Sequence, residues 1–131
     1  MDSKIFLVRT FLLIFLIFIL NCLAMKFYWY SSIWYFDMIM HFLGGFWVSL
    51  AIIWFFHVKD VSLKLIFKII LGVLLIGFLW EVFEVVIDEI FSKNSFNVLD
   101  TISDIFLDLS GGCLAVLYFT KKIMPNKENT I

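Results

Sequence analysis

Acids and a histidine recur at helical spacing inside apolar segments of this chain: Asp37-Met-Ile-Met-His41, Trp80-Glu81-Val-Phe-Glu84-Val-Val-Ile-Asp88 and Asp100-Thr-Ile-Ser-Asp104-Ile-Phe-Leu-Asp108. Spacings of three, four, seven and eight put each set on one face of its helix. Three carboxylates on one stripe repel one another unless a proton, a metal or a cationic partner neutralises them. Carboxylates with one imidazole suit a divalent cation such as manganese, iron, zinc or magnesium. The candidate metal ligands are Asp37, His41, Glu81, Glu84, Asp104 and Asp108, with Asp88 and Asp100 at the mouth of the pocket. Glu81, Glu84 and Asp108 are also the candidate catalytic groups. The spacing is not that of an EF-hand calcium loop, whose acids sit two apart around a glycine. Asp100 has a second reading as a helix cap, and Thr101 to Asp104 fits a capping box. Trp80 reads as packing.

The elements that must position these residues are membrane helices. Of the 131 residues, 63% are hydrophobic and 20% aromatic, and the mean hydropathy is +1.05. A soluble domain is about 45–50% apolar. Four apolar stretches, about 5–24, 33–56, 65–91 and 98–120, each suffice to cross roughly 30 Å of hydrocarbon. They predict an all-α, four-helix transmembrane bundle in a single domain, multi-pass in the cell membrane and bathed by the lipid bilayer. Residues 121–131 read as a flexible cytoplasmic tail. Short connections, Met25–Ser32, His57–Lys64 and Ser92–Asn97, make successive helices antiparallel neighbours. The net charge of −1 gives no reason to expect nucleic acid. Cys22 and Cys113 lie in apolar runs and read as buried small hydrophobes. The first stretch follows Lys4 and Arg9 as a signal peptide would, but Leu23-Ala24-Met25 is a poor cleavage site.

Lys4, Arg9, Lys59, Lys64, Lys68, Lys121, Lys122 and Lys127 fall on one side of such a bundle, and only Lys26 and Lys93 on the other. This bias predicts that both termini are cytoplasmic. Tyr28, Trp29, Tyr30, Trp34 and Tyr35 then form an outer interfacial belt, with Trp54 and Tyr118 at the inner one. At a rise of 1.5 Å per residue, His41, Glu81 and Asp108 all lie roughly 12–15 Å inside the outer helix ends. Asp37, Glu84 and Asp104 form a shallower layer. Gly44, Gly45, Gly111 and Gly112 lie near the same faces and read as sites of close helix approach. The first helix carries no acid at these depths, and Asn21 is its strongest hydrogen-bonding group.

The segments Asp37-x3-His41-Phe42-x-Gly44-Gly45, Trp80-Glu81-x2-Glu84-x3-Asp88 and Asp100-Thr101-x2-Asp104-x3-Asp108-x2-Gly111 resemble the small YjdF-type membrane proteins. The arrangement also looks like a relative of the broader VanZ-like family. The resemblance spans roughly Ile33 to Tyr118 and implies a multi-pass bundle at the cell membrane. The chain departs from VanZ-like proteins proper, which place a Gln after the Glu and an Arg before the final acids. Here Glu84 stands in that segment and no Arg follows Arg9.

Three functions fit these residues. The leading one is a divalent-cation site in the outer half of the bundle, acting on a lipid or a lipid-linked cell-envelope precursor. A metal-dependent membrane enzyme is its strongest form. The alternatives are a structural or accessory membrane protein with protonated, paired acids, and a proton or cation relay. The apolar inner half, Val48–Phe56, Leu65–Leu75 and Leu114–Phe119, argues against a relay through one chain.

Overall fold

A computed structural model describes residues 3–92 and 97–123 of the chain. The segment 124–131, expected as a cytoplasmic tail, and most of the Ser92–Asn97 connection lie outside the described residues. The described residues form helices and turns without strands. In order these are α1 (Ser3–Lys26), α2 (Trp29–Ser32), α3 (Phe36–Phe55), α4 (Leu63–Ile87) and α5 (Val98–Tyr118). α4 runs on into a wider π turn, Asp88–Ser92, and α5 into another, Phe119–Ile123. Four of the helices are long and apolar enough to cross a membrane, as expected. The short α2 was not legible in the sequence. It sits in the connection read as Met25–Ser32.

Local signals set the ends. Tyr28 adopts the left-handed conformation (φ 58°) and its carbonyl accepts from the hydroxyls of Ser31 and Ser32, which folds α2 back on the end of α1. α3 ends with His57 left-handed (φ 48°), its N–H bonded to the Trp54 carbonyl and that of Val58 to Ile53. This closure normally uses glycine. Ser62 caps α4 by accepting from the Leu65 N–H.

α3 is the centre of the bundle and touches every other helix. His41 meets Glu81 while Ile52 lies where a side chain on Gly72 would go, so α3 and α4 run antiparallel. Asp108 faces Gly45 and Gly112 faces Ser49, so α3 and α5 run parallel. α1 joins chiefly through α3, where the Trp47 indole donates to the Thr10 carbonyl at 3.1 Å. At the end away from α2, the Phe6 and Phe119 rings meet edge-on and Arg9 donates to the Tyr118 hydroxyl.

The α3–α5 contact depends on glycine. A Cβ on Gly45 would overlap the Asp108 backbone carbonyl, and one on Gly111 the Phe42 carbonyl. One on Gly112 would press on Ser49 Oγ at 2.8 Å. The two backbones therefore touch, which only small residues permit. Gly44 departs from the expectation: a Cβ there would meet nothing within 4 Å, because the residue turns away from the seam that Gly45 occupies.

The buried stripe of α4 is Leu65, Ile69, Val73, Gly77 and Glu81, at strict four-residue intervals. That of α5 includes Asp104, Asp108, Gly111, Gly112 and Ala115. Each core stripe is thus apolar at one end of the bundle and acidic at the end that carries α2. Large apolar side chains cover the outside, among them Phe11, Phe15, Phe67, Leu75 and Phe78, as a lipid environment requires. Cys22 and Cys113 are exposed on that outer surface rather than buried. Inside and outside are both apolar in lipid, so hydrophobicity alone could not tell which way a cysteine points.

Candidate metal centre

His41 lies at the middle of the acidic end, 6% exposed. Its Nδ1 is 3.2 Å from Asp108 Oδ1. Its Nε2 faces three further carboxylates: Asp104 Oδ2 at 3.5 Å, Asp37 Oδ1 at 3.7 Å and Glu81 Oε1 at 3.8 Å. Asp37 comes from the same helix one turn earlier, Glu81 from α4, and Asp104 and Asp108 from α5. One ligand atom each from His41, Glu81, Glu84 and Asp104 lie within 4.8 Å of one another. So do atoms of Asp37, Asp100 and Asp104.

Several of these groups are buried without a partner. Glu81, Asp104 and Asp108 are all buried, Asp104 to 1% exposure. Glu81 Oε1, both oxygens of Asp104 and Asp108 Oδ2 meet no hydrogen-bond donor among the described residues. No described Lys or Arg forms an ion pair with the acids. Lys26 instead lies over the Phe27 ring and Lys68 over Phe56. Asp108 has room because α4 carries glycine opposite it: a Cβ on Gly77 would come within 2.7 Å of Asp108 Oδ2.

The expected residues arrive with different roles. Asp37, His41, Glu81, Glu84, Asp104 and Asp108 converge between α3, α4 and α5. Asp88 is exposed at the start of the π turn and enters neither group. Asp100 is not the helix cap. Asn97 holds that position, its Oδ1 accepting from the N–H groups of Leu99 at 3.1 Å and Asp100 at 3.4 Å. With Asn97 as the cap, Thr101 and Asp104 lie within the helix and form no capping box.

Three residues escaped the sequence reading. The Trp80 indole, taken as packing, donates to Glu84 Oε1 at 2.8 Å. Their i, i+4 relation was the available signal. Thr101 lies beside the Glu81 carboxylate across the α4–α5 seam. Tyr30, read only as part of the aromatic belt, donates to Asn21 Oδ1 at 2.6 Å. Outside the spans, its phenol is pushed up to about 12, first by partial burial and then by Asp37 and Glu84. Tyr30 therefore stays protonated, close to the acids, and gives Asn21 the partner that an amide in an apolar helix needs.

The matching family model covers residues 3–123, and its description is a predicted membrane protein. Neither a curated protein nor a solved structure matches the chain. With four membrane-length helices in the fold and nearly the whole chain inside the family model, this protein belongs to the membrane protein family DUF2238.

Proposed function

We propose that His41, Glu81, Glu84 and Asp104 bind a divalent cation, with Asp108 orienting the histidine. The observation that carries this reading is the spacing around Nε2. Oxygens at 3.5–3.8 Å lie beyond the usual range of hydrogen bonds, about 2.7–3.2 Å. They are close to the spacing of ligands around one ion: metal–ligand bonds of about 2.1 Å put tetrahedral neighbours about 3.4 Å apart. Two of these acids, Glu81 and Asp104, and Asp108 beside Nδ1 carry buried oxygens with no donor, and no described Lys or Arg offsets the charge. A proton on Nδ1 donated to Asp108 leaves the Nε2 lone pair facing the other carboxylates. Metal-binding histidines are commonly oriented this way.

The orientation with both termini cytoplasmic belongs to this proposal and rests on the Lys and Arg bias. It puts the site in the outer half of the membrane, below the outer helix ends. A reporter fused after Lys121 should be cytoplasmic, and an extracytoplasmic reporter would refute the orientation. Below the acids, a cavity of about 240 Å³ runs between α4 and α5, lined by residues including Ile66, Ile69, Val73, Leu109 and Val116. An apolar cleft beside a polar site suits a lipid or a lipid-linked envelope precursor as substrate. When bound, a divalent cation supplies Lewis acidity toward a phosphoryl or carbonyl oxygen. The chain's own part is to hold the ligands: Asp108 fixes His41 and Trp80 fixes Glu84. The resemblance to YjdF-type and VanZ-like proteins is part of the same proposal. A relay is less well supported, because Thr10 and Ser49 are the only other buried polar side chains among the described residues.

Melting curves in detergent test the binding. A ligand that binds only the folded state stabilises it by about 2.7 kcal/mol at a hundred times its Kd. At least one of manganese, zinc, magnesium and calcium should raise the melting temperature of the wild type. Glu81→Gln should lose that shift. A wild type indifferent to all four ions would overturn the proposal.

A further inference from the structure

Asp104 belongs to both groups of acids. A ligand atom of Asp104 lies within 4.8 Å of those of His41, Glu81 and Glu84, and one lies within 4.8 Å of those of Asp37 and Asp100. It is also among the most buried side chains in the protein, 1% exposed, and neither of its oxygens has a hydrogen-bond donor among the described residues. A single ion bound through one oxygen would leave the other buried and unpaired. Such an orphan is costly, and more so where the group is charged. A carboxylate with both oxygens buried and both unpaired suits a bridge between two cations.

We infer that the centre is dinuclear. The inner ion is held by His41, Glu81, Glu84 and Asp104, the outer by Asp37, Asp100 and Asp104, and Asp104 bridges them. This inference rests on the single-ion reading above and extends it to a second site. Formal charge points the same way. Asp37, Glu81, Glu84, Asp100, Asp104 and Asp108 carry six negative charges when ionised. One divalent ion leaves four of them uncompensated, and a second leaves two. The second site also gives Asp100 a purpose. Asn97 caps the helix, so the Asp100 side chain is not needed there. The outer set lies toward the mouth, where Asp100 is exposed and Asp37 half-buried, so it is the side a substrate oxygen would reach first. Paired ions roughly 3.5–4 Å apart clamp both the attacking and the leaving oxygen in phosphoryl chemistry. A phosphate-bearing lipid or precursor is therefore the substrate class that a paired centre favours over a carbonyl compound.

The test is stoichiometry with manganese alone. Purified full-length protein is stripped with chelator, dialysed against manganese and assayed for bound metal, and its electron paramagnetic resonance spectrum is recorded. Two ions per chain and an exchange-coupled spectrum are expected. Asp100→Asn, an exposed change at a capped helix start, should bind one ion and give an uncoupled single-ion spectrum. Glu84→Gln should weaken the inner site and leave Asp100 needed for whatever binding remains. One ion per chain in the wild type, unaffected by Asp100→Asn, would overturn the dinuclear inference and leave the single-ion reading standing. No bound ion with manganese, and none when dialysis is repeated with zinc, would overturn both.

Discussion

Replacing Asp104 by Asn is expected to reverse the protein's response to divalent cations. In chelator the variant should melt above the wild type. With cation at saturating concentration it should melt below. The reason is burial. Asp104 is 1% exposed, has no donor for either oxygen and lies 3.5 Å from His41 among other acids. Without a cation, such a carboxylate must be protonated or remain charged in a place that penalises charge. An amide of the same shape removes the charge and brings N–H donors toward Asp37 and Glu81. The expected gain in chelator is about 1–3 kcal/mol. With cation at about a thousand times its Kd, the wild type gains about 4.1 kcal/mol that the variant lacks, more than the variant's gain in chelator. Thermal unfolding of both proteins, with chelator and with cation, reads the two signs. A variant less stable under both conditions would show that Asp104 holds the fold together rather than a cation.

Two adjacent glycines should differ sharply when changed to alanine. Gly45→Ala drives a methyl group into the Asp108 backbone carbonyl, which has no rotamer by which to retreat. α3 and α5 must move apart, and the residue they carry away is the one that orients His41. Overpacking typically costs about 1–3 kcal/mol and more against rigid neighbours, so the upper end or beyond is expected here. Gly44→Ala meets nothing within 4 Å and should gain up to about 1 kcal/mol from the removal of glycine from a helix interior. Melting temperatures of the two variants in one detergent check this. Equal effects would mean that the α3–α5 seam does not run through Gly45.

Much of this architecture was legible because its signals are periodic. Length and hydropathy alone called for four spans. The spacings of Asp37 with His41, Glu81 with Glu84 and Asp104 with Asp108 put the acids on faces that prove to point inward. Other features share one pattern with an alternative and leave no distinguishing period. Gly44 and Gly45 are equivalent in sequence, and only the rotation of α3 tells which one faces α5. Cys22 and Cys113 were read as buried and are exposed, because inside and outside are both apolar. Asp100 and Asn97 are both good caps, and the start of α5 decides between them. Tyr30, Trp80 and Thr101 were missed because their roles lie in partners, and partners across a helix seam leave no period in the sequence.

If His41 and its surrounding acids bind a divalent cation, the ion should be present in the purified protein. The protein is purified in detergent without chelator and analysed for all first-row transition metals, magnesium and calcium, beside His41→Ala prepared in parallel. At least one divalent ion per chain is expected in the wild type and its loss in His41→Ala, with the variant still folded by circular dichroism. Folded wild-type protein with no stoichiometric metal, before or after dialysis against each ion, would contradict it.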